Sequence, residues 1–273
     1  RGDSEEAHTF YLRASELFEN FEDRGRSVYG IAETLMYCGD AEGALLRFQE
    51  AHTLLAAGSE SYPLLLIGHA SALTKSGRFE EAWPMVTEAV ERFNALGNRN
   101  GAATALNALG ELERLRGNLA AAGKSYEESR DILIAIGSGN SVIAGMNMAL
   151  ICIGQKKWGD ARPLLEEGLV VLSQTGEHSH LGLLYVTLLP CVAAMSDGSA
   201  WDRYLSQALA ILASSQSVDA DIAHHARLGG ENALEQGQSQ RASKALQLAL
   251  DQWTVLDEQE QIRQVTALME RLV

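Results

Sequence analysis

Cysteine and proline are nearly missing from this chain, with three of the first and four of the second in 273 residues. The cysteines, Cys38, Cys152 and Cys191, are odd in number, far apart and set in apolar helical pattern. That excludes a disulfide framework and reads as reduced core thiols in a cytosolic protein. So little proline, in a sequence rich in Ala, Leu and Glu, leaves long stretches free to be helical. Basic side chains are also short: 22 Lys and Arg against 36 Asp and Glu give a formal charge of −14. A nucleic-acid binder needs a basic stripe to displace counterions from phosphates, and the chain has none. The same sign opposes adhesion to anionic membrane surfaces. No apolar run approaches the roughly 18 residues that cross a bilayer, and the acidic N-terminal stretch lacks a signal-peptide pattern. Strand-like alternation is missing throughout. The class that remains is an all-α chain, expected in the cytoplasm.

What is present is a recurring phrase. Gly-Asp-x-Glu-x-Ala spans Gly2–Ala7 and returns at Gly39–Ala44, with weaker copies at Gly77–Ala82, Gly117–Ala122, Lys156–Ala161, Ser196–Trp201 and Gly237–Ala242. The intervals are 37, 38, 40, 39, 40 and 41 residues. A period of that length means helical units that stack on their neighbours. In each copy the Gly is expected to end one helix in the left-handed conformation, and the acidic residues to open the next, where its dipole favours them. Small residues sit at the end of the phrase and again seven positions on: Ala7/Ala14, Ala44/Ala51, Ala82/Ala89, Ala122/Ser129, Ala161/Gly168 and Ala242/Ala249. Seven residues is almost two turns, so each pair shares a stripe where a second helix can approach closely. Seven positions before the Gly stand Ala32, Ala70, Gly110, Ala149, Leu189 and Gly230, and four after the first small residue comes a large one: Tyr11, Phe48, Val86, Tyr126, Leu165, Leu205 or Leu246.

This grammar resembles the tetratricopeptide repeat, with two antiparallel helices per unit, over essentially the whole chain. The stretch from Ala95 to Gly110 is similar to the long-repeat members found in sensor arms of bacterial signal-transduction ATPases, MalT-like or LuxR-type activators and some bacterial Ser/Thr kinases. The resemblance implies a right-handed α-α superhelix of antiparallel helix pairs. The expected organisation is a single solenoid over residues 1–273: a half repeat at 1–20, six helix pairs over about 22–256, and a capping helix at 258–272. The phase of the first copy suggests a fragment of a longer protein. The fifth unit is irregular, with Leu189 and Trp201 at small positions and Pro190 inside a helical stretch. An interior proline removes a backbone hydrogen bond, so this unit is either simple drift or a bend that widens the groove beside it.

Catalytic chemistry finds little support. Gly123-Lys124-Ser125 imitates the end of a phosphate-binding loop, but Asn118 stands where its first Gly belongs and the segment falls within a helix. His178/His180 and His224/His225 lack partners at metal-ligand spacing. No catalytic residues, no cofactor and no metal are expected; the chain is read as non-enzymatic. In tetratricopeptide repeats the first helix of each unit lines the concave face, and its offsets fall here on Arg26, Tyr29, Glu33 and Met36; Leu64, Ile67, Ser71 and Thr74; Thr104, Asn107, Glu111 and Arg114; Ile143, Met146, Leu150 and Ile153; Leu183, Val186, Pro190 and Ala193; and His224, Arg227, Glu231 and Leu234. The groove so drawn is polar at both ends and apolar in the middle. An exposed apolar surface marks a binding site; the competing reading buries these residues against one another. The candidate partner-binding set is Tyr29, Glu33, Asn107, Glu111, Arg114, Ile143, Met146, Leu150, Ile153, Val186 and Arg227.

The resemblance implies a protein- or peptide-binding arm of a larger cytosolic bacterial signalling or transcription regulator, with no nucleic acid or membrane bound by this segment. Two alternatives stay open: a peptide-pheromone receptor of the quorum-sensing type, and a scaffold that forms homo-oligomers through its apolar middle.

Overall fold

In the computed structural model, which describes residues 2–18, 20–175, 178–215 and 217–272, fourteen α-helices and no strands are found among the described residues. They are α1 (Gly2–Leu17), α2 (Phe21–Tyr37), α3 (Ala41–Leu54), α4 (Tyr62–Lys75), α5 (Phe79–Ala95), α6 (Arg99–Leu115), α7 (Leu119–Ala135), α8 (Ser141–Gly154), α9 (Trp158–Thr175), α10 (His178–Ala194), α11 (Gly198–Ser215), α12 (Ala220–Glu235), α13 (Ser239–Val255) and α14 (Gln259–Glu270). The chain divides into two compact units, Arg1–Ser141 and Val142–Val273. The first holds α1 to α7 and the second α8 to α14.

The turns follow from the phrase. Gly39, Gly77, Gly117 and Gly237 all have positive φ, 84°, 72°, 85° and 70°. At the first, Gly39 N–H donates to Met36 O (3.2 Å) and Asp40 N–H to Leu35 O (2.9 Å), the paired bonds that satisfy the last carbonyls of a helix. The degenerate copies keep this backbone without glycine: Lys156 and Ser196 have φ of 58° and 57°, and Lys157 N–H still reaches Cys152 O at 2.8 Å. Asp40 and Asn98 cap the helices that follow by accepting from Gly43 and Gly101 N–H, each at 2.9 Å.

Packing explains the small residues. Ala32, Ala44, Ala51, Ala70, Ala82, Ala89, Ala122, Ser129, Ala149, Ala161, Ala242 and Ala249 are fully buried, and so are the large residues Phe48, Tyr126 and Leu246 that fit between the helices. At Gly110 a Cβ would sit 2.6 Å from the Tyr126 ring, so only glycine admits that ring. Tyr11 is the exception among the large residues, at 40% exposed.

Several expectations change. Only Cys191 is a core thiol, with its pKa pushed up to about 12 by burial; Cys38 is exposed and Cys152 half-buried. Pro84 and Pro163 lie in the second turn of α5 and α9; the carbonyls they leave free, on Glu80 and Gly159, belong to exposed residues. α10 runs without interruption through Pro190. Instead of opening a groove there, α10 packs directly on α12, where a Cβ on Gly229 would lie 2.9 Å from Leu189 Cβ and 3.4 Å from the Trp201 ring. Trp201 is wholly buried.

Candidate functional site

In the first unit, α2, α4 and α6 each turn one stripe away from their partner helices, because the opposite stripe carries the small residues. α6 supplies the best-ordered cluster. Arg114 grips Glu111 with two hydrogen bonds, Nε–H at 2.9 Å and Nη2–H at 2.7 Å, and the Tyr126 hydroxyl donates to the same carboxylate at 3.0 Å. Burial pushes the Glu111 carboxyl up, but Arg114, Tyr126 and the charge of Lys75 outweigh it and hold the group below the usual carboxylate range. Burial and the adjacent Glu111 push the Tyr126 hydroxyl far up, so it stays a donor. Asn107 lies one turn before Glu111 on the same helix and is half-buried.

α2 carries the related pair. Tyr29, half-buried, lies one turn before Glu33, whose carboxyl is raised by burial; the nearby Tyr29 hydroxyl and the charge of Lys75 offset this only in part. Lys75, exposed at the end of α4, therefore acts on carboxylates of both α2 and α6, and the three helices share a row of alternating charge. The spacing rule had placed Tyr29, Glu33, Asn107, Glu111 and Arg114 here. It does not reach Lys75, one residue past the Thr74 offset, or Tyr126, which comes from a second helix and reads from the sequence as a packing residue.

In the second unit the predicted residues separate. Ile143 is 50% exposed, while Ile153 and Val186 are 4% and 0% exposed and belong to the core. Pro190 and Ala193 are buried with them. Leu150 is half-buried, and Met146 packs into the core against Gly168, whose Cβ would meet its Cγ at 3.3 Å. Arg227 pairs with Glu231 at 2.8 Å along the same face of α12. Ile143, and parts of Met146 and Leu150, are what α8 offers to solvent.

Other candidates have structural explanations. Lys124 sits inside α7, where it faces Glu128 at 3.7 Å. The side chains of His178 and His180 lie outside the described residues. Among the described residues no three His, Cys, Asp or Glu gather as a metal site, and no helix is long and apolar enough to cross a membrane. A histidine pair that the sequence did not suggest, His52 and His69, joins α3 to α4 with ring nitrogens 3.1 Å apart.

Residues 61–135 match the tetratricopeptide repeat family model. No curated protein sequence matches the chain. Among solved structures, the apo form of RapI is similar over 90% of this chain and 89% of its own, at 11% identity and a TM-score of 0.67. PlcR of Bacillus thuringiensis, in a complex with the peptide PapR7 and DNA, is similar over 67% of this chain and 68% of its own, at 9% identity and a TM-score of 0.61. A putative kinesin light chain of Podosopora anserina with nearly identical TPR-like repeats covers 73% of this chain and 99% of itself, at 18% identity and a TM-score of 0.55. With the helix pairs and turns described above, these likenesses make the chain an all-α solenoid of tetratricopeptide-like repeats.

Proposed function

We propose that this chain is a non-catalytic domain that binds a peptide or protein segment on the stripe formed by α2, α4 and α6, as the sensor or scaffold arm of a larger cytosolic bacterial regulator. The observation that carries the reading is the row of Glu33, Lys75, Glu111 and Arg114. These charged side chains come from three successive repeats, act on one another, and remain open to solvent. Fixed, partly desolvated charges on rigid helices recognise the polar groups of an extended ligand, and the neighbouring Asn107 of α6 would add contacts. Occupancy would reach an attached domain by population shift, the ligand favouring one of two arrangements of the repeats.

A second reading, a peptide-pheromone receptor, is favoured by the likeness to PlcR, whose structure holds the peptide PapR7. It differs from the first in the ligand, a short linear peptide, and not in the face used.

Display selection of random linear peptides on the purified chain, followed by calorimetry, tests both. Arg114→Ala should weaken a selected peptide at least tenfold, about 1.4 kcal/mol, with Asn107→Ala acting in the same direction. Selection that yields no saturable binder, or binders indifferent to both changes, would sink the reading.

A further inference from the structure

Glu33 and Glu111 occupy the same place in their repeats, each one residue after the small position, Ala32 in α2 and Gly110 in α6. Three residues later the register gives Arg114 to Glu111 but Met36 to Glu33. Glu111 is therefore gripped by a guanidinium and a tyrosine hydroxyl. Glu33 has its tyrosine, Tyr29, and the charge of Lys75, but forms no ion pair among the described residues. Of two carboxylates in the same register, Glu111 is paired with a guanidinium and Glu33 has no ion pair among the described residues.

The incomplete one opens into a recess. Tyr11, Arg26, Tyr29, Glu33 and Tyr37 line a cavity of about 490 Å³ between α1 and α2. Tyr11 covers Gly30, where a Cβ would lie 2.6 Å from its ring, yet 40% of the residue stays exposed. Tyr37 is 84% exposed at the rim. Arg26 does not neutralise Glu33, because it is held elsewhere: Glu22 at 3.2 Å, Asp23 at 3.6 Å and the Ser61 hydroxyl at 3.0 Å take its guanidinium. A carboxylate among aromatic rings suits a planar cation, which can pair with the carboxylate and lie against the rings at once. The formal charge of −14 favours a basic partner from a distance as well.

We infer that this recess is the anchor pocket for an arginine side chain of the bound peptide, its guanidinium pairing with the Glu33 carboxylate as that of Arg114 pairs with Glu111. The inference rests on the peptide-binding reading and adds to it a site and a ligand chemistry.

The probe is acetyl-Ala-Arg-Ala-amide, titrated into the full chain with its tyrosine rings isotopically labelled and followed by NMR. Saturable shifts of the Tyr11, Tyr29 and Tyr37 signals are expected. The citrulline tripeptide, the same shape without the charge, should bind at least tenfold more weakly, and so should Glu33→Gln with the arginine probe. Tyr37→Ala, at an exposed ring that the fold does not need, should weaken binding at least threefold and keeps the test decisive if Glu33→Gln fails to fold. Equal affinity for citrulline, or wild-type affinity in both variants, overturns the inference. Selected peptides that depend on Arg114 yet bind Glu33→Gln unchanged would remove this pocket and leave the broader reading intact. A selection with no binders would remove the broader reading, while the tripeptide titration still decides the pocket.

Discussion

The two units use one repeat to different ends. In the first, successive inner helices α2, α4 and α6 touch only slightly, and Tyr29 and Glu33 of α2 reach across to Gly68 of α4. In the second, α10 and α12 lie against each other as closely as the two helices of a repeat. A size exchange accounts for the difference. Leu189 stands where the other repeats have Ala or Gly, and Gly229 stands where they have Ile31, His69, Leu109, Met148 and Leu188. The leucine side chain of one repeat enters the space given up by the next, with Trp201 closing it from α11. Asn232 adds a hydrogen bond from its amide to Pro190 O at 3.0 Å. Whether this tetratricopeptide-like face is a surface or a core thus depends on a pair of residues, one at the small position and one beside it in the next repeat, which lets the neighbouring helix in.

The comparison is most sharply tested at Trp201. Trp201→Ala empties a fully buried site and should cost about 3–5 kcal/mol. Hydrogen exchange should show lost protection in α10 to α13 and little change in α2 to α6. A loss under about 1 kcal/mol in chemical denaturation would mean that the close contact of α10 and α12 has another source.

Much of this could be read from the sequence, and the limits have physical reasons. Helix boundaries followed from Gly39, Gly77 and Gly117, because a left-handed residue stops a helix wherever it falls. The small stripe was equally clear, since Ala44 and Ala51 have no function other than close approach. Side-chain exposure was not clear. Spacing rules place Val186 and Tyr29 on the same stripe, and what decides their burial is the distance to the next first helix, set by Gly229 and Leu189 forty residues apart. The Glu33 pocket was half legible: the offsets found Tyr29 and Glu33, but Tyr11 reads as another packing residue until its exposed face is seen. The His52–His69 contact joins two helices with no shared motif, so no spacing could announce it.

That histidine pair gives a second way to separate the units, through pH. His69 is buried against Phe48, rings 5.7 Å apart, and its pKa is lowered to about 4 by burial, then by the charges of His52 and Arg78. The unfolded chain takes up this proton near pH 6.5; the folded one resists it down to about 4. The unfolded state therefore binds more protons across that window, and stability falls as pH drops through it. Melting at pH 7 and pH 5 should show a smaller fall in His69→Gln than in the wild-type chain. An identical fall in both would place the sensitive group elsewhere.

The smallest effect expected is at the turns, and it runs the other way. In the first unit the left-handed position of the phrase is glycine at Gly39, Gly77 and Gly117; in the second, Gly237 keeps it but Lys156 and Ser196 take it with φ near 57–58°. A side chain in that conformation crowds the following carbonyl, at a cost of about 1–2 kcal/mol, and glycine removes the cost while giving back some entropy to the unfolded chain. Lys156→Gly should therefore stabilise the chain by about 0.5–1 kcal/mol, and Gly117→Ala should destabilise it by a similar or larger amount. Lys156 is exposed, and the bonds from its N–H to Ile153 O and from Lys157 N–H to Cys152 O are made by backbone atoms that the substitution retains. The difference measured by urea denaturation then isolates the backbone conformation. A neutral or destabilising Lys156→Gly would show that the lysine makes up for its own strain, and that the second unit is no less relaxed at its turns than the first.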